Sequence, residues 1–164
     1  MNWYLLIKFL HILAVTLTIG GMFARQLVRS IALKNDDVRT VATLTQAATR
    51  IDRALVIPWS NLILVAGIIL AVMQKWPIFG FLQGASQNWL LVSNILLIGM
   101  LVLIPAMFVP YNKRLEPILQ TALAEGHVTS ELSTALNDRK NKLAHYAEEI
   151  IILVITALMV LKPF

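Results

Sequence analysis

The chain has 164 residues, of which 58% are hydrophobic and only 14% charged, with a mean hydropathy of +0.73 and a formal net charge of +5. A soluble domain carries about 45–50% apolar and about 25% charged residues, and a chain this short has too little interior to hide the surplus. An ordinary soluble domain and a disordered chain are therefore both excluded, and a single membrane domain is expected. The lack of Cys removes disulfide frameworks, thiolate catalysis and Cys-ligated metal centres.

A membrane helix needs about 20 mostly apolar residues. The first such stretch is 5–23, with Lys8 as its only charge. No basic segment precedes it, and Arg25 and Arg29 follow it where a small-residue cleavage site would stand, so it reads as a retained span rather than a signal peptide. Its Gly20-Gly21 pair is expected to admit a neighbouring helix closely. Asn35-Asp36-Asp37 then marks a turn and helix start. Val38, Val41, Leu44, Ala48, Ile51 and Leu55 recur at helical spacing, an amphipathic stripe that runs into the uncharged second stretch, 54–74. The loop 75–88 carries Trp76, Phe79 and Phe81, which with Trp3, Tyr4 and Trp89 form an expected aromatic belt at one membrane surface.

The third span is expected at 88–109, its end kinked by Pro105 and Pro110. Residues 115–125 read as a separate helix with Pro117 in its first turn, Gly126 as its terminator and Thr129 as the next N-cap. Leu132, Leu136 and Leu143 then lead into the last span. The apolar run 150–161 would be about 18 Å long, too short for a core of about 30 Å. It must begin near Leu143, which brings His145, Glu148 and Glu149 into the membrane or to its edge. The expected architecture is all-α: one four-helix transmembrane bundle over 1–164, with spans at about 4–25, 54–74, 88–110 and 143–162 and long helices extended as hairpins on one side.

The charges orient this bundle. Arg25, Arg29, Lys34, Arg39, Arg50 and Arg53 lie between spans one and two, and Lys113, Arg114, Arg139, Lys140 and Lys142 between spans three and four. Eleven of the fourteen basic residues thus fall in two connections that share a side, which the positive-inside rule makes cytoplasmic, with both termini outside. The basic excess reads as orientation and as contact with anionic lipid, and a nucleic-acid partner is not expected.

Ionisable residues at membrane depth are candidate functional groups. His11 lies about 12 Å inward from Trp3, with Ser93 and Asn94 at similar depth on span three. It reads either as a neutral ring hydrogen-bonded to Ser93 or Asn94, or as a haem ligand or proton carrier with those two residues around it. His145, Glu148 and Glu149 share one helical face. They read as half of a metal site or, preferably, as an ion-pair cluster with Arg25, Arg29, Arg50 or Arg53 at the boundary. Arg25 and Arg29, one turn apart, either clamp an anion or snorkel. His11 and His145 differ in depth by about 13 Å and do not suit one haem as a pair. The dispersed Met residues read as packing, and no metal site is expected.

Lys8-Phe9-Leu10-His11-Ile12-Leu13 followed by Gly20-Gly21-Met22-Phe23 resembles the first span of a family of uncharacterised bacterial integral membrane proteins, domain of unknown function 2269. It is also similar to the wider group of HemJ-type protoporphyrinogen oxidases and the CopD membrane domain. Arg53-Ala54-Leu55-Val56-Ile57-Pro58, with Gly67 nine residues beyond the proline, and the ending Val160-Leu161-Lys162-Pro163-Phe164 resemble the HemJ type. That resemblance implies haem b ligation by His11. Ser93 stands where the HemJ type has a Lys, and His145 to Glu149 replace its Asn-Glu-x-Pro motif. The expectation is a bacterial inner-membrane protein that binds haem b or a porphyrin in a redox role. The alternative is a non-catalytic scaffold or accessory subunit with a structural His11 and a boundary ion-pair network. Whether it is an enzyme is left open, as is a homo-oligomer or a larger membrane complex.

Overall fold

The computed structural model describes residues 2–163. Phe164, the last residue of the HemJ-like ending, lies outside the described residues. Among the described residues, four helical stretches are long and apolar enough to cross a membrane: α1 (Trp3–Ala32), α2 (Val38–Met73), α3 (Trp89–Glu125), and the last arm, which divides into α4 (Ser130–Leu136) and α5 (Arg139–Leu161). At 1.5 Å per residue, α2 and α3 are about 55 Å long, so they outrun a hydrocarbon core of about 30 Å and project as hairpins at the basic end. Among the described residues there is no strand.

The helix starts follow side-chain chemistry. The Asp37 side chain accepts from the Arg39 and Thr40 amides at the head of α2, and Thr129 accepts from Leu132 N at the head of α4. The Thr40 hydroxyl also donates to Asp37, and these bonds hold its carboxyl below the usual carboxylate range. Gly126 ends α3 with a φ of +76°, a left-handed conformation that favours glycine.

The proline effects differ from expectation in form. A proline lacks an N–H and its ring crowds the carbonyl four residues back. α2 widens into a π turn at Asp52–Val56 just before Pro58, and α3 does so at Ile104–Phe108, around Pro105 and before Pro110. The helix therefore continues through these prolines, and no separate helix begins near Leu115. Pro117 consequently lies inside α3, on its exposed face, rather than in a first turn. A second correction concerns the last arm. Its helix stops at Asn137 and restarts at Asp138, whose side chain caps α5 by accepting from Asn141 N.

Three buried layers hold the bundle. At the basic end Val38, Val41 and Ala42 of α2 pack on Leu115, Leu119 and Ala122 of α3 and on Leu132 and Ala135 of α4. In the middle Met22, Val56, Met100, Ile152 and Ile155 meet. At the opposite end Ala71, Trp89 and Leu90 form a small cluster. Trp89 is only 2% exposed and stands edge-on to Trp76 with centroids 5.3 Å apart, while Lys162 Nζ lies 4.2 Å from the centre of the Trp76 ring. Trp89 is thus an interior pillar rather than a member of the surface belt, whereas Trp3, Phe79 and Phe81 are exposed. Phe9, Ile12, Ile68, Ile98, Leu101 and Val154 also face outward, as lipid-facing surfaces do.

α1 packs most closely along α2, and α3 along α5. Only one residue of the glycine pair explains the first contact. A Cβ on Gly21 would stand 2.9 Å from Leu55 Cβ and 3.1 Å from Val56 Cγ2, while one on Gly20 would meet nothing within 4 Å. Gly21→Ala is therefore expected to destabilise by about 1–3 kcal/mol through forced separation of α1 and α2. Gly20→Ala should be neutral or slightly stabilising. Thermal unfolding of the two variants in detergent checks the contrast.

Candidate functional site

α1, α2 and α5 bring a group of charges together at the boundary between the apolar bundle and the basic hairpins. Arg25, 3% exposed, is the hub. Its Nη1 donates to Asp52 Oδ1 at 2.7 Å and its Nη2 to Glu148 Oε2 at 2.6 Å. Arg29, one turn on, has Nη2 3.7 Å from Asp52 Oδ2 and donates through Nη1 to His145 Nε2. His145 Nδ1 lies 3.3 Å from Glu148 Oε2. A ring that accepts at Nε2 and donates at Nδ1 is a single neutral tautomer, so every hydrogen bond in this chain has a consistent direction. Phe108 covers the imidazole face, with centroids 4.2 Å apart and planes 9° from parallel.

The expected boundary ion-pair cluster is thus assembled from Arg25, Arg29, His145 and Glu148, but its membership differs in three places. Arg50 and Arg53 are exposed and stand outside it. Glu149 is half-buried, and its Oε1 is buried with no hydrogen-bond partner. Asp52 is the member that the spacing of His145, Glu148 and Glu149 did not reveal. A signal for it existed: Asp52 falls four residues after buried Ala48 and four before buried Val56, on the inward face of α2. An acid on that stripe needs a cation from a neighbouring helix. Among the described residues, no three His, Asp or Glu side chains converge well enough to hold a metal ion.

The second candidate, His11, is set differently from expectation. It faces α2 rather than α3. A Cβ at Gly67 would lie 3.2 Å from His11 Cε1 and 3.7 Å from Nδ1, and the Ile63 carbonyl is close to the ring. Nδ1 is buried and has no hydrogen-bond partner. Ser93 and Asn94 do not surround it. The Ser93 hydroxyl returns to Trp89 O at 2.8 Å, and Asn94 Nδ2 donates to Ile78 O at 3.2 Å, tying α3 to the preceding loop. Their polar groups are consumed locally, which is the usual fate of Ser in a helix interior.

Thr18, two turns beyond His11, is 1% exposed, and its hydroxyl also lacks a partner. Thr16, Thr45, Thr49 and Thr156 all donate to carbonyls four residues back, so Thr18 departs from the pattern of its neighbours. His11, Thr18 and Arg25 recur every seven residues, which puts three buried, unpartnered atoms along one face of α1.

The family model described as "Predicted integral membrane protein (DUF2269)" matches residues 5–163, nearly the whole chain and all four spans. The chain belongs to this family. No curated protein and no solved structure matches it. As a DUF2269 member it is an integral membrane protein, in agreement with its four apolar helices and outward-facing hydrophobic side chains.

Proposed function

We propose that this DUF2269 protein associates with haem b or a porphyrin in a redox role, with His11 as the protein ligand. The observation that carries the reading is the imidazole itself: a ring inside a span, seated against Gly67, with a buried nitrogen that makes no close hydrogen bond although the Ile63 carbonyl lies near the ring. Buried unpaired nitrogens are rare enough to call for an explanation, and a ligand is one. The donor set fits a haem through one residue, since His145 is committed to Arg29 and Glu148. A bound haem would supply one-electron chemistry. The chain's own contribution is to hold the ring: α1 carries it, and the missing side chain at Gly67 lets α2 approach and limit its tilt.

In this reading the protein sits in a bacterial cytoplasmic membrane, with the basic hairpins in the cytoplasm and both termini outside. Its support is the gathering of eleven basic residues in two connections. An absorption spectrum of detergent-purified protein from haem-replete cells, taken with and without dithionite, tests the reading. A Soret band that shifts on reduction and disappears in His11→Ala is expected. A colourless, porphyrin-free preparation would overturn it.

A second reading, a non-catalytic scaffold or accessory subunit, is favoured by the Arg25 bridge, which ties three helices without an open coordination position. Under it, His11→Ala changes assembly or unfolding temperature and there is no pigment to lose.

A further inference from the structure

A cavity of about 160 Å³ opens beside the charge cluster, where α1, α2, α3 and α5 converge at the basic end. It is far larger than the roughly 10–15 Å³ that one water requires. Its walls include Arg29, Lys142, Asn141, Tyr111, Thr45 and Thr49, and no carboxylate is among the residues that line it.

The polar groups on this wall divide by what they still have to give. The Thr45, Thr49 and Tyr111 hydroxyls donate to the carbonyls of Val41, Thr45 and Ala135, so only their oxygen lone pairs remain. Lys142 Nζ donates to Asn137 Oδ1 at 2.8 Å and keeps two further N–H groups. Arg29 is held from behind by His145 and Asp52, which leaves most of its five donors unspent in a fixed orientation. Asn141 is 8% exposed, and its Oδ1 is buried without a partner. Asn141 lines the cavity, and its side-chain NH2 makes no hydrogen bond among the described residues, so it is free to donate. Two cations and a buried amide with no carboxylate opposite them suit an anion. The planar, pre-oriented guanidinium suits phosphate oxygens in particular.

We infer that this cavity is a binding site for a phosphate group, carried either by a free phosphate or by a lipid headgroup at the membrane surface, with Arg29, Lys142 and Asn141 as its donors. The site is independent of His11, so the loss of the haem reading leaves it untouched. Arg29 anchors the anion and ties it to the Arg25 cluster through His145. Lys142, half-exposed at the rim, completes the charge balance.

The test uses the delipidated full-length protein in a nonionic detergent. Its unfolding temperature is followed against inorganic phosphate, against chloride at equal ionic strength, and against short-chain phosphatidic acid with short-chain phosphatidylcholine as control. A saturable rise with phosphate assigns the site to free anions, and a rise with phosphatidic acid alone assigns it to a headgroup. Either rise should need roughly tenfold more probe in Lys142→Gln and in Asn141→Leu, the scale of one lost charge-assisted or buried hydrogen bond. Arg29→Gln also strips the contact with His145, so these two variants carry the decision. Equal shifts with chloride, no saturable shift with either phosphate probe, or midpoints unchanged in both variants would overturn the assignment.

Discussion

Replacing Arg25 by Met is expected to cost about 3–5 kcal/mol of stability, the range for breaking a buried ion pair by removing one partner. The magnitude comes from what is left behind more than from what is lost. Arg25 is 3% exposed and makes two short bonds, 2.7 Å to Asp52 and 2.6 Å to Glu148. Without it, two carboxylates face each other at the membrane boundary with only Arg29, whose nearest approach to Asp52 is 3.7 Å, to offset them. Arg53→Met, at an exposed position on α2 next to Asp52, should stay within about 0.5 kcal/mol. Adding Glu148→Gln to Arg25→Met should recover part of the loss, because the pair shares one network and the effects do not add. Chemical unfolding in detergent, with the parent protein as reference, measures all three variants. An Arg25→Met protein as stable as the parent would show that the charge cluster does not hold α1, α2 and α5 together.

The second large effect lies at the basic end of the bundle. Leu132→Ala is expected to cost about 2–5 kcal/mol, because Leu132 is 0% exposed at the centre of the layer formed by α2, α3 and α4. That layer lies beyond the apolar stretches of these helices, where water is the expected solvent, so the hydrophobic effect should stabilise it in full, unlike helix contacts between lipid-soluble faces. Its loss should be local. Protease cleavage near α4 should accelerate while the spans keep their helicity, since short elements open as separate units. Ser133→Ala, at the neighbouring exposed position, should leave cleavage unchanged. Equal cleavage of the two variants would mean that the hairpins are not packed as a unit.

The parts of this fold that were legible in the sequence are those set by one-dimensional pattern. The four apolar runs, the Val38, Val41 and Ala48 stripe, the Thr129 cap and the Gly126 terminator each depend on spacing or on the conformational freedom of one residue type, and all appear where the pattern puts them. The break at Asn137–Asp138 was masked by leucines whose spacing continues across it, although Asp138 is itself a capping residue. The continuity of α3 through Pro105, Pro110 and Pro117 was hidden because a proline penalises a helix without stating whether a π turn absorbs the strain. At the site, depth brought His145 and Glu148 near Arg25, Arg29, Arg50 and Arg53 without deciding among the four, and the packing of α1 against α2 and α5 selects Arg25 and Arg29. The partner of His11 did not, because depth leaves open which neighbouring helix a side chain faces. Gly67, the small residue that lets α2 approach, decided that question.

The claim on which the functional readings most depend is sidedness: both basic connections on the cytoplasmic face, with His11 nearer the other. The chain has no Cys, so single cysteines can be introduced into an unaltered background. Asp36→Cys and Gln120→Cys report the two connections, and Ser86→Cys reports the loop between α2 and α3; all three positions are exposed. With a membrane-impermeant maleimide on intact cells, Ser86→Cys should react at once, while Asp36→Cys and Gln120→Cys should react only after permeabilisation. The opposite pattern, or different behaviour of Asp36→Cys and Gln120→Cys, would contradict the orientation.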